Sequence, residues 1–262
     1  MSEFINNSEQ RKKRLKELIL RLHRGEQPES VRRDLIEHLQ KVPYNEVVET
    51  EQELIAEGLP ADEVMKFCDI HTMVLDGHID TSARRTVSPG HPIDVFQEEN
   101  KSIRKVIKEV RGAIEQIKRM PDDALHEILM EVLGLFNQLM DVDKHYKRKE
   151  YLVFPYLEKR GITGPPKVMW GKHDEIRSLL QGAIESLKAC PPDKEEMLAV
   201  ADMMLLPALK AVEDMIAKEE EILFPMALDT LTEAEWYEVH RQTLDIGYCL
   251  YDPQVEWIPS VA

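Results

Sequence analysis

HYKRKEYLVFPYLE, residues 145–158, is the stretch on which the reading of this chain turns. It sets His145 ahead of Glu150 on one helical run and closes in Phe154-Pro155. Seventy residues later MIAKEEEILFP, residues 215–225, repeats it. Glu220 answers Glu150, Phe224 answers Phe154 and Pro225 answers Pro155, while Met215 stands where His145 would. A second pair of stretches is also alike. FQEENKSIRKVI (96–107) resembles MWGKHDEIRSLL (169–180), with Asn100 opposite His173, Ile103 opposite Ile176 and Arg104 opposite Arg177. Pro121 and Pro191 occupy equivalent turns. An offset held over whole helices marks an internal repeat. Residues 91–228 therefore read as two copies of one helical hairpin, which pack as a four-helix up-and-down bundle with polar groups facing inward.

The composition agrees. A chain of 262 residues can bury the core of one large or two ordinary domains. Leu, Met, Glu, Lys and Ala are plentiful and Gly numbers only 11, which predicts an all-α protein. The net charge of −15 argues against nucleic acid or an anionic membrane as partner; it reads as a solvated helical surface. The three cysteines, Cys68, Cys190 and Cys249, are widely spaced without a CxxC, and are expected to be free thiols in a reducing compartment. No stretch resembles a signal peptide or a membrane span, so the expected location is cytoplasmic. A nucleotide-binding glycine loop, a nucleophile elbow and a basic recognition helix are all missing from the sequence.

Residues 1–80 read as a small helical module. Leu15, Leu18, Ile19 and Leu22 predict a helix over 11–24. A second follows Pro28 with Val31, Leu35 and Leu39 inward; a third spans 44–57 and stops at Gly58. A fourth opens at Pro60 and runs toward 79, with Val64, Met65, Phe67 and Cys68 on its apolar side. Residues 81–90 end in Pro-Gly and read as a linker. The bundle helices are expected from Pro92 to near 119, from the Pro121 turn to near 159, over 167–188 and over 193–224, with a kink at Pro207. Residues 229–262 hold a last helix and a tail in which Tyr251, Trp257 and Ile258 are expected to be buried.

Imidazoles and carboxylates pointed into a core need partners, and a cation satisfies both. Divalent iron, manganese and zinc take this mixture of nitrogen and oxygen ligands. The candidates are His145 and Glu150 on the second bundle helix, His173 on the third, and Glu219 or Glu220 on the fourth. Residues five apart on an α-helix differ by about 140°, so Glu150 must reach round to share an ion with His145. The plainer alternative is a surface Glu150 and a hydrogen-bonded core His145. His91 is a further candidate: it lies at about the height of Glu150 on an antiparallel pair of helices, or else it caps the first bundle helix.

These residues resemble the hemerythrin-like (HHE cation-binding) family. His145, Glu150 and Val153-Phe154-Pro155 match its second helix, His173 within WGKHDEIR its third, and Glu219-Glu220 with Leu223-Phe224-Pro225 its fourth. The first 80 residues are similar to a helical domain of unknown function that commonly precedes such bundles. The resemblance implies a metal centre built from His91, His145, Glu150, His173 and Glu220. It implies non-haem iron, mononuclear or dinuclear, with zinc or manganese as alternatives, and a small gas ligand, O2 or NO. Asn100 and Met215 replace histidines of the family pattern. That favours a mononuclear or asymmetric dinuclear site, with His71 or His78 as further donors. Three functions follow: a sensor or store that handles O2, NO or iron; a metalloenzyme of NO or peroxide reduction or of iron-cluster repair; or a metal-free helical interaction module. Beyond the metal ion, a second copy of the chain or a regulatory protein is the partner that remains.

Overall fold

The computed structural model describes residues 2–24, 26, 31, 34, 44–59 and 87–259, and all regular structure among them is helical. The helices expected after Pro28 and over 60–79, most of the linker, Cys68, His71 and His78 lie outside the described residues. The elements are α1 (Ser2–His23), α2 (Tyr44–Ala56), α3 (Pro92–Ile117), α4 (Leu125–Leu139), α5 (Val142–Arg148), α6 (Phe154–Glu158), α7 (Gly164–Ala189), α8 (Lys194–Val200), α9 (Leu206–Lys218), α10 (Phe224–Thr230) and α11 (Glu233–Ile246).

Three of the junctions are single π-helical turns: Lys149–Val153 between α5 and α6, Ala201–Leu205 between α8 and α9, and Glu219–Leu223 between α9 and α10. Each ends two residues before a proline, Pro155, Pro207 and Pro225. Proline has no N–H, and its ring crowds the carbonyl four residues back. One widened turn relieves both problems, because its bonds reach five residues back instead of four. Leu206 N–H duly donates to the Ala201 carbonyl and Phe224 N–H to the Glu219 carbonyl. The kink expected at Pro207 is taken up in this way.

The chain divides into two compact units. The first holds residues 1–86, 154–172 and 217–231. Here α1 packs on α2, with Leu15, Leu18 and Ile19 buried at the helical spacing that predicts them, and Leu54 buried on α2. Arg11 Nε donates to Glu46 Oε2 at 2.8 Å, and Lys12 Nζ to Glu49 Oε2 at 2.9 Å. Ile55 and Leu59 pack against Val168, and α2 also packs on the Glu219–Leu223 turn.

The second unit holds residues 87–153, 173–216 and 232–262. Its spine is α3, which packs along α4 and also meets α5, α8 and α11. Ile103, Ile107, Val110, Ile114 and Ile117 form the buried stripe of α3; Leu125, Ile128, Val132, Phe136 and Leu139 form that of α4. A capping box starts α11: Thr232 Oγ1 accepts from Glu235 N–H, and the Glu235 carboxylate accepts from Thr232 N–H. Gly247, at φ +95°, ends it and turns the chain into the C-terminal strap, residues 247–257. Trp257 is buried as expected, whereas Ile258 is 76% exposed. Seating the larger ring stabilises the tail more, and its neighbour is left in solvent.

Candidate metal centre

The end of α5 and the π-turn after it bury an unusual run of polar side chains: His145, Tyr146, Arg148, Lys149 and Glu150. The five-residue step from His145 to Glu150, about 140° around the helix, decides what they meet. The two side chains leave the helix in different directions and find different neighbours, so the structure does not bring them together.

His145 faces α3. Its Nδ1 lies 2.6 Å from Glu99 Oε2, and both side chains are fully buried. Arg148 Nη2 donates to the same oxygen, and the backbone N–H of Cys249 donates to Oε1 at 2.7 Å. The Phe96 ring stands edge-on to His145 at 5.2 Å. The Arg148 guanidinium sits over Phe96 at 4.7 Å and over Tyr248 at 5.4 Å, a cation held by aromatic faces.

Glu150 faces α7. Its Oε1 lies 2.7 Å from His173 Nδ1, and Arg177 Nη2 donates to both carboxylate oxygens at 3.0 and 2.9 Å. Arg177 Nε is anchored on Asp143 Oδ1 at 2.8 Å. The Tyr146 ring stacks on His173 at 4.1 Å and 6°. Lys149 Nζ lies 5.0 Å from the Tyr146 ring and 5.5 Å from Phe96.

Burial alone would raise the carboxyl of Glu99. The hydrogen bond from His145, the charge of Arg148 and the Cys249 amide outweigh it and hold that carboxyl below the usual carboxylate range. The same balance holds for Glu150, where His173 and Arg177 outweigh burial. An ionised carboxylate only accepts, so Nδ1 of each imidazole carries the proton that it donates. A metal-bound imidazole has this arrangement, one nitrogen on the ion and the other N–H on a carboxylate. His145 and His173 therefore fit a cation site as nitrogen ligands, with Glu99 and Glu150 orienting them. Among the described residues, no three His, Cys, Asp or Glu side chains form a ready cluster for an ion.

His91 caps α3, its Nδ1 accepting from Ile93 N–H at 3.1 Å. Its ring packs against Trp236 at 5.0 Å and Trp257 at 4.8 Å, and it joins neither pair. Burial pushes its pKa down to about 4, with Glu233 opposing and His240 adding to the shift. On the fourth bundle helix Glu219 is fully buried and Glu220 half-buried, both within the first unit. Asn100 and Met215 are core residues. Sequence reasoning missed Glu99 and Arg148. The available signal for Glu99 was its place on the Phe96, Glu99, Ile103 stripe, where an acid has to find a partner.

Fold and site together define a helical bundle protein whose interior carries carboxylate-oriented imidazoles, a cation-binding class. Residues 91–227 match the family model described as Hemerythrin HHE cation binding domain, and residues 15–81 match a family of unknown function, DUF438. The chain belongs to the hemerythrin HHE cation-binding family, and that membership supports metal binding. No curated protein matches the chain. Among the described residues no helix is long and apolar enough to cross a membrane.

Proposed function

We propose that this chain is a non-haem metal protein, with iron the expected ion, that senses or handles O2, NO or iron. The observation that carries the reading is the pair of buried imidazoles, His145 and His173, each with Nδ1 committed to an ionised carboxylate. Both would hold the ion through Nε2. Iron at such a site supplies redox chemistry and an open position for a diatomic ligand. Glu99 and Glu150 hold the Nδ1 protons, Arg148 and Arg177 balance those carboxylates, and Phe96 and Tyr146 keep water away from the rings. Elemental analysis of protein purified without oxygen tests the reading, with His145→Ala and His173→Ala as controls. A stoichiometric transition metal in the wild type, lost in both variants, is expected; its absence from the wild type rejects the proposal.

Arg148 and Arg177 favour one second reading, a metal-free interaction module, because they already neutralise Glu99 and Glu150. A native-state ligand raises the melting temperature, so chelation lowers it under the first reading and leaves it unchanged under the second.

A further inference from the structure

Glu99 does more than face His145. It is fully buried, and three donors converge on it from two parts of the second unit: His145 and Arg148, both on α5, on Oε2, and the Cys249 amide on Oε1. The third donor belongs to the C-terminal strap, 150 residues away in sequence. The strap is seated at its other end too. Gly90 sits at φ +82°, and a Cβ there would stand 2.5 Å from the Val255 carbonyl oxygen and 3.2 Å from Trp257 N. Trp257 then packs on the ring of His91, the cap of α3. The strap is thus fastened to the start of α3 through Gly90 and His91, and about two turns farther along α3 through Glu99. In the other pair Glu150 is held by Arg177, whose side chain is 22% exposed.

We propose that Glu99 is the positioning residue of His145 and that the C-terminal strap fixes Glu99 in turn, so that the strap sets where His145 Nε2 points. The consequence for metal affinity rests on the function proposed above; the geometry does not.

The distinguishing chemistry is the number of acceptors. A carboxylate receives all three donors, whereas a glutamine offers one oxygen and one donating nitrogen. In Glu99→Gln, if the nitrogen takes the Oε1 place it meets the Cys249 N–H and the strap comes away. If it takes the Oε2 place, His145 has to turn over its tautomer and accept at Nδ1.

Histidine-labelled full-length protein, freed of metal, gives the ring protonation by long-range nitrogen–proton NMR, with signals assigned through His145→Gln and His173→Gln. Amide exchange read by mass spectrometry reports the Cys249 bond. In the wild type the His145 proton is expected on Nδ1. In Glu99→Gln either that tautomer changes or Cys249 exchanges about tenfold faster, the loss of about one hydrogen bond. In Gly90→Ala, which leaves the hub chemically intact, Cys249 again exchanges about tenfold faster and the His145 signals shift while those of His173 stay.

A wild-type His145 without a proton on Nδ1 overturns the proposal. So does a Glu99→Gln variant with both the wild-type tautomer and wild-type exchange at Cys249. Unchanged exchange at Cys249 in Gly90→Ala overturns the role of the strap. Should Glu99→Gln not fold, the wild-type and Gly90→Ala measurements still decide. If the wild type takes up metal, Glu99→Gln binds it about 10- to 100-fold more weakly, and equal affinity counts against positioning. If the wild type takes up none, the function proposed above falls while the proton and exchange results still judge Glu99.

Discussion

Lowering the pH from 7 to 5 is expected to destabilise this protein through His91. The ring is 7% exposed, lies between Trp236 and Trp257, and accepts a hydrogen bond at Nδ1 from Ile93 N–H, which a second proton would abolish. Its pKa is about 4 in the folded chain against 6.5 for the free side chain. The unfolded chain therefore takes the proton first. The stability held in the neutral ring is complete above about pH 6.5 and is lost as the pH falls toward 4. At about 1.4 kcal/mol per unit the whole effect is about 3 kcal/mol, of which about 2 kcal/mol falls between pH 7 and pH 5. His91→Asn is the control, since asparagine caps a helix equally well and does not titrate. Urea unfolding at pH 7, 6 and 5, followed by tryptophan fluorescence, measures both proteins. The wild type loses about 2 kcal/mol more than His91→Asn over that interval. His240, also pushed down by burial, is common to both and cancels in the comparison. Equal losses in the two proteins would refute the reasoning.

Other consequences are as direct. Gly90→Ala destabilises by about 2 kcal/mol or more in urea titration, because the left-handed backbone and the overlap with Val255 act together; a stability equal to wild type contradicts the seating of the strap. Thr232→Ala removes the capping box of α11 and costs about 1 kcal/mol, read as a lowered melting temperature. A thiol reagent modifies the half-buried Cys190 well before Cys249, which is fully buried and whose thiol burial keeps protonated. Peptide mapping over time decides this, and equal rates at the two positions rule it out.

Much of the architecture was legible in the residues. Leu15, Leu18 and Ile19, the repeated Phe-Pro and the paired prolines at 121 and 191 are local signals, and helices answer to local signals. The candidate site was legible by residue type and less so by pairing. His145 and His173 are buried beside carboxylates, but the partner of His145 is Glu99, an acid inside the polar run QEEN that reads as surface. Only the packing of α5 on α3 shows that this acid lies on the buried stripe. His91 shows the same limit: whether a histidine beside Pro92 is a ligand or a cap depends on Trp236 and Trp257, some 150 residues away.

The π-turn at Lys149–Val153 has a consequence for how this protein can change. It carries about one residue more than an α-helical turn. The stretches on its two sides are therefore out of phase, and each carries buried side chains, Tyr146 before the turn and Phe154 and Leu157 after it. Point substitutions there disturb one side chain. Deleting a single residue there would turn the residues that follow by about 100° around the helix axis relative to those before it. The same arithmetic governs 219–223. Each half of the repeat can drift in spelling, but neither can lose count.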